Sequence, residues 1–303
     1  MGLRLAAALA GLLAAQLLTL PGLACGLSGG ELGVVTSVES ADTLKLQSGG
    51  TVVLIGALPP ELALDAQTPW PPVETSRAEL ERLVLGKTIE TVTSGRRFDR
   101  YGRMLAQVFV NDALVETEPG SGRQWVQGEL IAGGLARAYA LPGSVACLDE
   151  MLSLEAAARS DRRGHWASGV FADRDASDLR ALRGLRDTFA TLEGVVARID
   201  KVRGQPALAF TSGASESGSG LRAIMTSNDH PHGSGSQRNL DGLVGQRVRV
   251  RGWIERPSRP SVTLFDPRLI ELLEVLPLAG SAPPHAIPAP DTALLPIPAV
   301  SPQ

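Results

Sequence analysis

The sequence predicts a mainly β chain with helices, an α+β molecule built from two small β-barrel domains, and three observations carry that prediction. Short alternating apolar and polar stretches, punctuated by Gly, Ser and Pro, recur in two blocks, residues 30–170 and 190–276. Helical periodicity is confined to a few segments, all in the first block. A length of 303 residues at 44% hydrophobic and 20% charged is enough for two cores and too polar for a polytopic membrane protein. The 29 basic and 32 acidic residues leave a formal net charge of −3, which excludes the blanket attraction to phosphate of a DNA-coating protein. Contact with nucleic acid requires a local patch.

Residues 1–24 read as a signal peptide: a single basic residue, Arg4, then an apolar run from Leu5 to Leu20, Pro21, and small residues ending at Ala24. The run is shorter than the roughly 20 residues of a membrane-spanning helix, and no later run reaches that length. The expectation is a secreted or periplasmic protein without a transmembrane helix. Cleavage after Ala24 leaves Cys25 at the new terminus. A lipoprotein signal acylating Cys25 is the alternative; Gly22 counts against it, standing where such signals carry a branched apolar residue. Cys147 is the only other cysteine, so an oxidising compartment predicts a Cys25–Cys147 disulfide.

The first block opens with three strands in hairpin order, Val34 to Val38, Thr43 to Gln47 and Thr51 to Ile55, the last two joined by Ser48-Gly49-Gly50. A Pro-rich loop from Leu58 to Pro72 leads to an amphipathic helix over Glu74 to Leu85, ended by Gly86. Thr88 to Thr93 and Met104 to Val110 complete a five-strand set around the arginine-rich loop Gly95 to Arg103, and helical runs follow at Trp125 to Gly133 and Cys147 to Arg162. That order suits a small closed barrel of the oligonucleotide-binding type. In the loop, Arg96, Arg97, Arg100 and Arg103 interleave with Phe98 and Tyr101, a pattern able to follow a phosphate backbone and stack a base; a solvated turn is the alternative.

Ala41-Asp42-Thr43-Leu44-Lys45-Leu46, Val53-Leu54-Ile55-Gly56, Pro60-Glu61, Asp99-Arg100-Tyr101-Gly102-Arg103, Trp125-Val126-Gln127, Gly134 to Tyr139, Glu155 to Arg159 and Gly164-His165-Trp166 occur in this order. As an ordered set over residues 30–170 they resemble the thermonuclease, or staphylococcal nuclease, family. The resemblance implies a five-stranded barrel with helices that cleaves DNA and RNA with Ca²⁺ held by carboxylates and two arginines on the phosphate, cations that stabilise transition-state charge. Carried over by position, Asp42 matches the first calcium carboxylate, Glu61 the carboxylate beside the attacking water and Arg103 the second phosphate-binding arginine. Val53 stands where the family has its first arginine, and Leu58 replaces the second calcium carboxylate. A Ca²⁺ ion wants six or more oxygens, so a degenerate site with weak or absent hydrolysis is expected, unless Glu39 or Asp65 supplies a carboxylate. His165 is expected on the surface and Trp166 against the barrel.

The second block offers strands over Glu193 to Val202, Pro206 to Thr211, Leu221 to Ser227, Arg247 to Glu255, Ser261 to Phe265 and Leu269 to Val275, a second barrel of the oligonucleotide-binding type after a linker near Gly184 to Ala190. In Arg247 to Trp253, Val248 and Val250 alternate with Arg247, Arg249 and Arg251, predicting an apolar inner face and a cationic outer face, with Trp253 as a stacking platform for nucleic acid; pairing of these arginines with acids such as Glu255 or Glu271 is the alternative. His230 and His232 lie in a Gly/Ser-rich loop without a third ligand at metal spacing. Residues 277–303 are Pro-rich and almost uncharged, which predicts a disordered tail. Two functions are expected: an exported thermonuclease-like protein acting on DNA or RNA with an impaired site, or a non-catalytic module binding single strands, an envelope polymer or a protein partner.

Overall fold

The computed structural model describes residues 25, 27–60, 70–111, 123–185, 187–211, 220–226, 240–255 and 260–274. Residues 1–24, read above as a signal peptide, Glu61, Asp65, His230, His232 and the Pro-rich residues 277–303 lie outside the described residues.

In the first block, β1 (Glu31–Ser40), β2 (Thr43–Leu46) and β3 (Thr51–Leu54) form the expected meander. β4 (Ala57–Leu58) leads on to α1 (Pro71–Val84), which starts a turn earlier than the periodicity suggested because Pro71 and Pro72 fit the first turn, where no backbone N–H is needed. β5 (Thr88–Val92), β6 (Met104–Asn111) and β7 (Arg123–Trp125) precede α2 (Val126–Ala132), β8 (Arg137–Ala138) and α3 (Leu148–Ser160). The long β1 pairs with β5 through Glu31–Val34 and with β2 through Val35–Ser40, bending at two register shifts so that one strand serves both sides. Parallel pairing of β3 with β6 closes a five-stranded barrel of order β1-β2-β3-β6-β5. Its core holds Leu44, Leu54, Leu80, Leu83, Ile89, Val108 and Ile131, all at most 1% exposed.

The second block repeats that plan. β9 (Arg174–Asp175) and α4 (Leu179–Arg183) precede β10 (Phe189–Val202), β11 (Gln205–Phe210), β12 (Arg222–Met225), β13 (Arg247–Glu255), β14 (Ser261–Leu264) and β15 (Ile270–Glu274). β10 pairs with β13 through Phe189–Val195 and with β11 through Val196–Val202, again with a register shift at the bend. Parallel pairing of β12 with β14 closes the order β10-β11-β12-β14-β13, strand for strand that of the first barrel. α4 escapes a periodicity search because it is one turn long; the Asp178 side chain caps it by accepting from the Ala181 N–H at 2.9 Å. Among the described residues, no helix is long and apolar enough to cross a membrane.

The barrels share one continuous apolar core cluster and a charged seam. Glu155 on α3, fully buried, accepts from the Ala138 N–H at 2.6 Å and from Arg251 of β13 at 2.7 Å, and also pairs with Arg159. Arg249 pairs with Glu193, with Glu271 at 2.6 Å and with Asp173 at 3.2 Å. Trp253 packs edge-on against Tyr139 at 5.8 Å and Phe189 at 5.0 Å, and Arg137 donates to the Phe189 carbonyl at 3.0 Å. The alternation in β13 therefore sorts its residues onto two faces as expected, but the face carrying Arg249 and Arg251 is not outward. They are 8% and 3% exposed, paired with acids of both blocks, and Trp253 is wedged against aromatic rings. Unpaired in so dry a place each arginine would be strongly destabilising, which is why every one finds a carboxylate.

The expected disulfide joins Cys25 to Cys147, with Cα atoms 5.3 Å apart and a sequence separation of 122. Cys147 is the N-cap of α3, so the bridge ties the start of the described chain to the helix that supplies Glu155.

Candidate functional site

Asp42 sits in the two-residue turn between β1 and β2. Its Oδ1 accepts from the Ser40 hydroxyl at 2.6 Å and the Thr43 hydroxyl at 2.8 Å, and its carbonyl accepts from the Leu54 N–H at 2.8 Å. The side chain thus closes the turn locally. Glu39 is exposed on β1, and Leu58 pairs through its backbone with Arg137 in the short β4–β8 ladder.

β3 alternates Leu54 into the barrel core and Val53 and Ile55 to the opposite side. There they meet Leu105, paired with Val53 across the parallel ladder, and Leu141, forming a small separate apolar cluster in which Val53, Ile55 and Leu105 are 8%, 3% and 7% exposed. A guanidinium in place of Val53 would sit where hydrocarbon now packs. Segment 141–144 approaches the start of the basic loop so closely that only glycine fits at position 95: φ is +90°, and the Gly143 carbonyl lies where a Cβ would project.

The basic loop is built around Asp99. Its Oδ1 accepts from the N–H groups of Tyr101 at 2.8 Å and Arg103 at 2.9 Å, and its Oδ2 binds Arg103 Nε at 2.7 Å. Partial burial works to raise the Asp99 pKa, but the bonds from Arg103 and Tyr101 outweigh it and hold the carboxyl below its usual value. The Arg100 and Arg103 guanidinium carbons lie 4.7 and 5.5 Å from the centre of the Tyr101 ring, and that ring is 66% exposed. Arg97 lies 5.2 Å from the Phe98 ring and pairs with Glu31, while Arg96 is exposed. The loop thus presents an open aromatic ring flanked by cations, with Arg103 held by its own carboxylate.

Residues 51–168 match the family model described as staphylococcal nuclease homologue. This domain belongs to the staphylococcal nuclease family. No significant match was found among curated proteins. Two buried amides in the nuclease domain are structural. Gln107 donates to the Ile55 carbonyl at 3.0 Å and accepts from the Trp125 indole at 2.8 Å; Gln127 donates to the Ala106 carbonyl at 2.8 Å and accepts from the Val108 N–H at 3.0 Å. These buried amides satisfy backbone groups where β3, β6 and α2 converge.

The nuclease family generally depends on Ca²⁺. The donors described around Asp42 do not fit that ion. One carboxylate is present, its Oδ1 already takes two hydroxyl protons, Leu58 offers nothing, and no group of three His, Cys, Asp or Glu suited to a metal occurs among the described residues.

Two further expectations change. His165 is buried, 6% exposed, with Nε2 3.0 Å from the Ser76 hydroxyl, so it joins the start of α1 to the end of the nuclease domain instead of facing water. Burial holds its pKa below the ordinary value despite a bond to the Pro72 backbone. Trp166 packs with Ala158, Val170 and Phe171 in its own cluster, beside α3 and away from the barrel wall. The charged seam was the feature hardest to see in sequence. Its acids, Glu155, Asp173, Glu193 and Glu271, are scattered over more than a hundred positions and carry no shared motif.

Proposed function

We propose that this is an exported nucleic-acid-binding protein in which a staphylococcal nuclease barrel keeps a phosphate- and base-contacting loop and has lost its hydrolytic centre. The observation that carries the reading is the buried apolar cluster of Val53, Ile55, Leu105 and Leu141. By family resemblance position 53 supplies a phosphate-binding arginine, and removing one preorganised transition-state donor costs about 10²-fold or more in rate. Leu58 in place of the second calcium carboxylate leaves Asp42 without a carboxylate partner among the described residues for holding the metal. Binding survives on different residues. Tyr101 supplies a stacking face, and Arg96, Arg97 and Arg100 supply charge for single-stranded nucleic acid. Export through removal of residues 1–24 is supported by the disulfide, which forms and persists in an oxidising compartment.

The test incubates the purified chain with fluorescein-labelled single- and double-stranded DNA and RNA in Ca²⁺ or EDTA, reading anisotropy and cleavage together. The expected result is binding that persists in EDTA, no metal-dependent cutting, and a loss of about tenfold in single-strand affinity in Arg100→Ala/Tyr101→Ala. Ca²⁺-dependent cleavage abolished by Arg103→Ala overturns the reading.

A further inference from the structure

The second barrel repeats the first in sequence as well as in strand order. Gly33-Val34-Val35 on β1 and Gly194-Val195-Val196 on β10 hold the same place, ending at the register shift where each long strand leaves one partner for the other. The Val35 N–H donates to the Lys87 carbonyl and its carbonyl accepts from the Gly86 N–H; Val196 makes the same two bonds with Gln246 and Gly245. Gln47 donates to the Val34 carbonyl as Thr211 donates to that of Val195. The copies differ at one edge. On β10 the side away from β13 carries β9 in parallel, with Arg174 opposite Leu192 and Asp175 opposite Glu193. The Ala176 N–H donates to the Glu193 carbonyl at 2.8 Å, and the fully buried Ala176 methyl lies 2.9 Å from where a Cβ on Gly194 would stand. On β1 no described strand takes that part. Val35 bonds toward β5 and Val34 toward β2, so by alternation Leu32 turns its N–H and C=O to the open side, as Glu193 does, and no described residue bonds to them. A Cβ on Gly33 would meet Leu46 first, at 3.0 Å, so no methyl stands where that of Ala176 does. Leu32 itself is 69% exposed, more than any other large apolar side chain among the described residues.

We propose that the edge of β1 at Leu32 takes an extended segment of a second protein, added in parallel as β9 is added to β10. Backbone bonds to Leu32 supply the common part of the binding, and the side chains around the edge specify the segment. On the second barrel Asp173, two residues before Asp175, pairs at 3.2 Å with Arg249, which lies opposite Glu193 on β13. The first barrel has Glu90 in the place of Arg249, opposite Leu32 on β5, so charge complementarity puts a cation where β9 has Asp173. Glu90 already holds Arg123 at 2.9 Å, much as Arg249 already holds Glu271 at 2.6 Å, and each accommodates the incoming side chain as a further partner. Where Asp175 stands beside Glu193, the first barrel offers Leu32, which calls for an apolar residue. Where Ala176 covers Gly194, Gly33 calls for a small one. The segment therefore reads cation, any residue, apolar, small, and its binding is independent of the Tyr101 loop.

The experiment titrates the fluorescein-labelled peptide Gly-Lys-Thr-Leu-Ala-Ser-Gly into the full chain, reading anisotropy and, by NMR, amide hydrogen exchange along β1. Saturable binding is expected, with slower exchange of the Leu32 amide. A peptide carrying aspartate in place of the lysine binds about threefold more weakly, the scale of one cross-strand charge pair. N-methylation of the peptide alanine, which removes the donor to the Leu32 carbonyl, costs about fivefold. Leu32→Asn, at an exposed position and with an unchanged melting temperature, costs about tenfold, the scale of covering one aliphatic side chain. Absence of binding at millimolar peptide, equal binding of the N-methylated peptide, or protection gained at Glu193 with none at Leu32 overturns the inference. Protection of Leu32 that grows with protein concentration in the absence of peptide also overturns it, by making a second copy of the chain the occupant.

Discussion

Replacing Glu155 by Leu tests whether the charged seam holds the two barrels as one folding unit. The carboxylate is fully buried; it accepts from the Ala138 N–H at 2.6 Å, from Arg251 at 2.7 Å and from Arg159. Leucine fills similar space but orphans the amide and strips both arginines of their nearest anion. Among the described residues Arg251 keeps the anion of Glu271 at 3.5 Å and the Ala138 carbonyl at 3.4 Å, and Arg159 keeps Asp173 at 3.7 Å and Glu271 at 3.8 Å. Breaking a buried pair from one side costs about 3–5 kcal/mol, and these longer contacts recover part of it, so about 3 kcal/mol is expected. Arg251→Met leaves Glu155 paired with Arg159 and costs about 2 kcal/mol by the same reasoning. The double variant costs less than the sum of the two by about 1–3 kcal/mol, because the second change removes the charge that the first left stranded. The assay is urea unfolding followed by tryptophan fluorescence, for which Trp125 and Trp166 report the nuclease domain and Trp253 the seam. Strict additivity, or a Glu155→Leu cost below about 1 kcal/mol, refutes the reasoning.

Three further outcomes follow from titratable and covalent groups. Burial raises the Asp173 carboxyl to about 6, against the pull of Arg159 and Arg249 and with the help of Glu193, so the folded state takes up a proton that the unfolded chain releases; stability falls as pH rises between the unfolded carboxyl value and about 6, and Asp173→Asn flattens that part of a pH-resolved urea series. His165 works in the opposite direction. Its folded pKa lies below the ordinary 6.5, so the unfolded chain protonates first, stability drops as pH falls below that value, and thermal melts of His165→Gln lose this acid-side decline. Cys147→Ser opens a loop of 122 residues, which in the chain-entropy treatment costs about 4–5 kcal/mol; chemical denaturation of oxidised and reduced protein should show the same difference.

Much of this molecule was legible in its residues. Alternation placed all five strands of the first barrel, because each has one face in the core and one out of it, and the order of motifs from Ala41 to Trp166 pointed to the nuclease domain that residues 51–168 match. The disulfide followed from there being two cysteines in a chain read as exported. What alternation does not encode is the medium on the far side of a strand. The arginines of β13 were assigned to one face correctly and to water wrongly, since a second domain covers that face and its acids come from distant segments. His165 was misplaced for the same reason: its hydroxyl partner, Ser76, is 89 residues away. At Val53 the residue type signalled a lost arginine, but only packing shows that Ile55, Leu105 and Leu141 have closed over the vacancy.

The seam also fixes how the two barrels stand toward anything that touches both. Charged pairs across the seam leave no free joint there, and on the approach to β10 Asp187 and Thr188 are bonded to the Ile254 backbone of β13. With swivelling removed in advance, a ligand or partner seated on one barrel would meet the other without first freezing a joint. The second encounter becomes intramolecular, at an effective concentration fixed by the fold instead of by a linker, and the entropy of aligning the two domains has already been met when the chain folds.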